Sequence, residues 1–191
     1  MNIVDTDFWF HTIGISVIHA NTRIKDTHEK WTQWQEKPIP VDIYEEWKKS
    51  GAFNFGCAII MGKIWRGKYK GKYLACIDID NEKGMREVLS KLGKVDTIEK
   101  LSAMTIAEQH LDTKDKAHIY FIVEKPLSKK SGVGGPNVKN TEIPAIEVKS
   151  EGKHGIMFCS PSIHKNGQPY QILGIDVPKV LDEEQSEILE K

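Results

Sequence analysis

Residues 73–80 read YLACIDID, and this stretch decides the fold. It is the clearest strand in the chain. In an extended strand successive side chains point to opposite faces. Asp78 and Asp80 therefore share one face, while Ile77 and Ile79 point the other way, into a core. Two carboxylates side by side on a sheet repel each other. Charge at the end of an apolar strand is also costly unless it is paired. A hard divalent cation, Mg2+ or Mn2+, removes both objections, because it prefers carboxylate oxygens and is often completed by substrate phosphates. The alternative is a strand that simply leaves the core and turns polar, with Asp80 beside the helix cap Asn81.

Outward from this strand the chain alternates short strands with a few helices. Asn81 caps a helix over roughly 82–92 that Gly93 ends, and a second short helix lies near 96–103. MTIAEQH and HIYFIVE read as strands joined by a polar connection, LDTKDKA; AIEVK, GIMFCS and YQILG are further strands. Towards the N-terminus, residues 5–13 form a short helix capped by Asp5 or Thr6. Ile15 to His19 is a strand, VDIYEEWKK a helix ended by Ser50-Gly51, and CAIIMG a strand. SKKSGVGGPNVKN reads as a mobile loop, and DEEQSEILEK as an acidic helix or tail. After residue 105 the strands are too close together for a βαβ repeat. The expected class is α+β, with a largely antiparallel or mixed sheet in residues 73–175.

The chain has 191 residues, with 27 basic and 27 acidic side chains that cancel. A chain of this length buries roughly 70% of its unfolded surface, so it folds without disulfides or metal staples. Zero net charge excludes a grossly basic nucleic-acid wrapper but not a local patch. No apolar run approaches the ~20 residues of a membrane span. The early Asp5 and Asp7 argue against a signal peptide. Cys57, Cys76 and Cys159 are widely spaced in apolar stretches, which reads as three reduced, buried thiols. The expected setting is the cytoplasm, with no membrane.

Other residues suit the same chemistry. Glu147 is the single charge in AIEV and sits opposite to the flanking Ile146 and Val148, on the open face of an apolar strand. His118, at the start of HIYFIV, suits a phosphate contact or an ordinary strand-start histidine. Glu108 and His110 share a face on the preceding strand and either support the site or face solvent. Ser160, Ser162 and His164 lie in a turn without a GxSxG elbow, which suits contacts to a nucleotide or plain turn chemistry. GKIWRGKYKGKY carries Arg66, Lys68 and Lys70 among Trp65, Tyr69 and Tyr73. Cations neutralise phosphates and aromatics stack on bases, so this glycine-punctuated, hairpin-like loop is a candidate DNA contact. Lys129 and Lys130, with Lys139, form a second candidate, a flap over phosphates.

The order of NFGCAIIMG, LACIDID, AEQH…KAHIYFIVEKP and IEVKSEGKHGIMFCSPSIHKNGQPY resembles the archaeo-eukaryotic primase superfamily. Within it, the chain looks most like the primase-polymerase domains of archaeal plasmid and mobile-element replication proteins. The resemblance covers nearly the whole chain and rests on three motifs in series. Ile77, Asp78 and Asp80 match the first, hydrophobic-DxD. His118 matches the second, small-x-His before a strand, although Lys116 stands at the small position. Ile146 and Glu147 match the third.

The resemblance implies that Asp78, Asp80 and Glu147 hold Mg2+ or Mn2+ and that His118 contacts the triphosphate, with Lys116 as a further phosphate contact. It also implies one catalytic domain over 1–191. An N-terminal α/β module, roughly 1–70, packs on a C-terminal RRM-like module, roughly 71–191, with the site between them. The implied activity is template-dependent nucleotidyl transfer, as a DNA primase, a DNA polymerase or both, on DNA template and primer with dNTP or NTP. The chain has no helicase P-loop, so any helicase or other replication domain would lie elsewhere, on a longer chain. The rival readings are a metal-dependent nuclease or nicking enzyme, for which His118-Ile119-Tyr120 fails the expected His-hydrophobic-His, and a non-catalytic nucleic-acid-binding module.

Overall fold

The computed structural model describes residues 4–28, 30–111, 113–127, 144–151, 155–174 and 177–189. A helical turn at Phe8–Ile13 leads to β1 (Val17–His19). Asp5 accepts a hydrogen bond from the Phe8 amide at 2.8 Å, as expected of an N-terminal cap. A 3-10 turn at Trp31–Gln35 precedes α1 (Val41–Ser50), which Gly51 ends in the left-handed conformation. Then come β2 (Cys57–Ile60), β3 (Gly62–Lys63), β4 (Tyr73–Ile79), α2 (Glu82–Val88), α3 (Ile98–Ser102) and β5 (Ala107–His110). β6 (Thr113–Val123), β7 (Ile146–Lys149), β8 (Ile156–Cys159), β9 (Tyr170–Leu173), β10 (Lys179–Val180) and α4 (Glu183–Ile188) complete the order. No helix among the described residues is long and apolar enough to cross a membrane.

The fold is α+β, with mainly antiparallel sheets. β1, β2 and β8 form a small sheet, so the segment after residue 70 supplies one strand to the N-terminal sheet. The larger sheet runs β3-β4-β6-β5-β9. β7 lies beside the later half of β4, and β10 runs parallel to the later half of β6.

The alternation in β4 works as its sequence requires. Ala75, Ile77 and Ile79 are buried with Ile119 and Phe121 of β6 under Met85, Val88 and Leu101 of α2 and α3. On the opposite face Leu74 and Cys76 join Tyr120, Ile122, Trp9 and the small sheet in the other core. Each sheet face thus has its own cover. The second face emerges from that cover at Asp78.

Three local expectations change. The polar stretch 113–117 is strand rather than connection, because antiparallel pairing with β5 continues through a bulge at Gln109/His110. α2 continues as a wider helical turn over Leu89–Gly93, and Lys94, not Gly93, takes the left-handed conformation (φ 50°). β10 adds a strand that two residues of polar-apolar sequence do not announce.

Candidate active site

Strand register does the first part of the assembly. Asp78 is the cross-strand partner of His118 on β6 and of Glu147 on β7, and His118 is the partner of Glu108 on β5. Directly paired residues project from the same face of a sheet. Four polar side chains therefore form one row across four strands: Glu147, Asp78, His118, Glu108.

Asn81 locks this row in place. Its side-chain oxygen caps α2 by accepting from the Gly84 amide at 2.8 Å, and it accepts from the Ala145 amide at 3.1 Å. The Asp80 amide in turn donates to the Ala145 carbonyl at 2.9 Å. One side chain thus ties the end of β4 to the start of β7. Gly84 permits the approach, since a Cβ there would stand 2.8 Å from the Ala145 oxygen. Gly84→Ala removes about 1 kcal/mol of glycine penalty from the helix but pushes on the segment that carries Glu147. Turnover should fall several-fold while the melting temperature changes little. Unchanged turnover would show that the position of β7 does not matter.

The Glu108 end of the row is fully buried. Its carboxylate accepts from the Tyr120 hydroxyl at 2.8 Å and the Ser160 amide at 2.8 Å, and faces His118 Nδ1 at 3.1 Å. A carboxylate only accepts, so Nδ1 carries the hydrogen. His118 Nε2 is thereby turned toward Asp78, 3.7 Å away. Burial opposes charge on the ring, but the hydrogen bond to Glu108 and the nearby Asp78 outweigh it and raise its pKa above the ordinary value.

The acidic end carries its own cation. Lys149 Nζ lies 2.9 Å from Glu147 Oε2 and 3.5 Å from Asp78 Oδ2. Burial works against this ammonium, and the two carboxylates more than restore its proton, raising its pKa. Lys116 Nζ pairs with Asp80 Oδ1 at 3.0 Å. These residues open on a cavity of about 330 Å3, whose wall also includes Lys25, His110, His164, Lys165 and Tyr170. β8 contributes Ile156, Met157 and Phe158, so the cavity lies between the two sheets.

Asp78, Asp80, Glu147, His118, Lys116 and His164 thus meet in one cavity. Ser160 and Ser162 do not line it. The Ser160 hydroxyl donates to the Val4 carbonyl, and that of Ser162 donates to the Cys57 carbonyl and accepts from the Cys57 amide. Both hydroxyls join chain segments in the structure. Lys25, Lys149 and Lys165 extend the set of cavity cations. Lys149 stands two residues from Glu147 on the same face, a signal available by alternation alone. Lys25 has no such signal, since a turn brings it in.

The basic hairpin lies elsewhere. Lys63 pairs with Tyr73 at the start of β4, five residues and roughly 16 Å from Asp78. Arg66 donates to the Ile39 carbonyl at 2.7 Å and stacks on Phe10, and Tyr69 is buried in the core. Arg66 and Tyr69 therefore face inward, while Lys68 and Lys70 are exposed. Replacing Lys68 and Lys70 by Gln should leave the salt slope of DNA binding unchanged, whereas Arg66→Ala should lower the melting temperature. A shallower slope in the double variant would return the template to this hairpin. Lys129, Lys130 and Lys139 lie outside the described residues.

Among the described residues, no three carboxylate, imidazole or thiol side chains are gathered as a metal cage. The donor set still suits a hard divalent cation: oxygen ligands from Asp78, Asp80 and Glu147, two of them in register, with an ammonium resting on that pair. A search of curated proteins finds no match. The Prim-Pol family model, described as the N-terminal domain of bifunctional DNA primase/polymerase, matches residues 12–184 and so spans every residue of the row, and the chain belongs to this family.

Proposed function

We propose that the cavity catalyses template-directed nucleotidyl transfer on DNA, with a nucleoside triphosphate as the donor. Primase/polymerase activity is what membership of the family implies. The observation that carries the finer reading is the cross-strand row of Glu147, Asp78 and His118 opening on a cavity ringed with lysines. Carboxylates alone would repel a triphosphate. Carboxylates beside Lys25, Lys116, Lys149 and Lys165 separate a cation-binding end from a phosphate-binding wall.

In this reading Asp78, Asp80 and Glu147 hold Mg2+ or Mn2+. Such ions, when bound, neutralise charge on the attacking and leaving oxygens of an in-line displacement. The protein's own groups do the positioning, which is most of the work in phosphoryl chemistry. His118, held through Nδ1 by Glu108, presents Nε2 to a phosphate oxygen. Lys116 and Lys149, displaced from the carboxylates as these take up cations, offer their charge to the triphosphate. The primer 3′-hydroxyl gives its proton to solvent and its oxygen bonds to the α-phosphorus. The bond from that phosphorus to the bridging oxygen breaks, and pyrophosphate leaves.

The test is extension of a labelled primer on templates that differ in one base, with Mn2+ and each dNTP singly. Incorporation should follow the template base. Shortening of the primer would instead indicate a nuclease, and retention without any change in length a binding module.

A further inference from the structure

A second cavity, of about 270 Å3, adjoins the catalytic one. The same two chain segments border both. Thr22 and Arg23 line the smaller cavity and Lys25 the larger; Ser162 and Ile163 line the smaller, His164 and Lys165 the larger. The Thr22 hydroxyl lies 2.5 Å from the Ile163 carbonyl and 3.3 Å from that of Phe55, which fastens the shared wall.

The surface around this cavity is unusual for the molecule. Phe55 is 69% exposed, Ile24 68% and Ile163 41%. Phe55 and Ile163 line the cavity, and Ile24 follows Arg23 in the bordering turn. Single exposed apolar side chains need no explanation, whereas clustered ones mark binding surfaces. Arg23 is the one charged residue among those lining the cavity, and Asn54 adds an amide at its rim. An exposed ring beside a guanidinium, with no acid in the lining, matches a nucleobase attached to a phosphate backbone. It matches an acidic protein partner less well, because the lining offers a single cation.

We infer that this cavity receives an unpaired base of single-stranded DNA, stacked on Phe55 with its phosphate near Arg23, so that the template enters the active site across the 22–25 turn. The inference rests on the polymerase reading above and gives the template a path beside the catalytic cavity.

Fluorescence anisotropy with a labelled single-stranded oligonucleotide, in a salt series, tests it on the whole chain. Phe55→Ala should weaken binding about tenfold or more with an unchanged salt slope, since stacking is not ionic. Arg23→Gln should make the slope shallower by about 0.7, the loss of one phosphate contact on a single strand. On an abasic strand of the same length, wild type and Phe55→Ala should bind alike. Because Phe55 is exposed, the variant is expected to fold, and a thermal melt verifies this. Wild-type affinity in Phe55→Ala would overturn the inference, as would a dimer that this substitution dissociates in sedimentation, which would make the patch a protein interface. If the wild type extends primers by template while Phe55→Ala binds normally, the template path alone is wrong. If the wild type neither binds the strand nor extends a primer, the functional reading fails with it.

Discussion

Asp78→Asn should abolish primer extension, by on the order of 10³-fold, while leaving the protein folded. Asp78 is the middle of the row, with His118 on one side and Glu147 on the other. Removing its charge takes a ligand from the proposed cation site, whose charge stabilisation amounts to several kcal/mol, and each 1.36 kcal/mol of barrier is tenfold in rate. The isosteric amide keeps the strand packed. Replacement by Ala is a poorer probe, because it also removes the side-chain oxygens that face the partly buried Lys149, whereas Asn keeps one of them. Repulsion between Asp78 and Asp80, which the sequence suggests, is already offset here by Lys149 and Lys116. An Asp78→Ala/Asp80→Ala variant should therefore lose stability as well as activity. Single-turnover extension beside a thermal melt separates the two effects. Extension at near wild-type rate by Asp78→Asn would remove this residue from the chemistry.

Glu108→Ala should be the most destabilising single change at the site. It orphans three buried donors at once: His118 Nδ1, the Tyr120 hydroxyl and the Ser160 amide. Each unsatisfied donor costs about 1–3 kcal/mol, and breaking a buried charged network typically costs about 3–5 kcal/mol. For a chain of this size that lowers the melting temperature by roughly 10 °C. Glu108→Gln keeps one acceptor oxygen and should lose less. Both variants should also lose affinity for the triphosphate, because His118 is no longer turned toward the cavity. The pH dependence carries a further mark. In the wild type the raised pKa of His118 adds stability that is fully present below the imidazole's ordinary value and fades as pH rises through the raised one. In Glu108→Gln burial works against the charge with less opposition, so this component shrinks. A melt series across pH measures it, and an unchanged series would mean that Glu108 does not support the His118 charge.

Much of this architecture is legible in the sequence because it follows from alternation. YLACIDID declares a two-faced strand, and Asp78, His118 and Glu147 each stand on the open face of an apolar run. Alternation does not give register, however. That Asp78 lies opposite Glu147 depends on Asn81 and on the hydrogen bonds at Ala145, and that it lies opposite His118 depends on the pairing of β4 with β6. Glu108 shows the same limit. Its face is readable, but one of the donors that satisfies its buried carboxylate, the Ser160 amide, lies 52 positions away. The hairpin shows a related limit. Composition cannot tell a lysine in solvent from an arginine stacked on Phe10, and Arg66 reads like Lys68 until its partner on the N-terminal segment is known. Ser160 and Ser162 look like ligand contacts because turn hydroxyls often are. Here the small sheet needs them to hold Val4 and Cys57.

The most direct measurement is a crystal structure of the protein with Mn2+ and a dNTP analogue that cannot release pyrophosphate, read by the anomalous signal of manganese. The expected result is manganese held by Asp78, Asp80 and Glu147, with Lys149 withdrawn from both of its carboxylates and the triphosphate on His118 and Lys116. Manganese bound away from these three carboxylates, or a nucleotide bound while Lys149 still bridges Asp78 and Glu147, would contradict it.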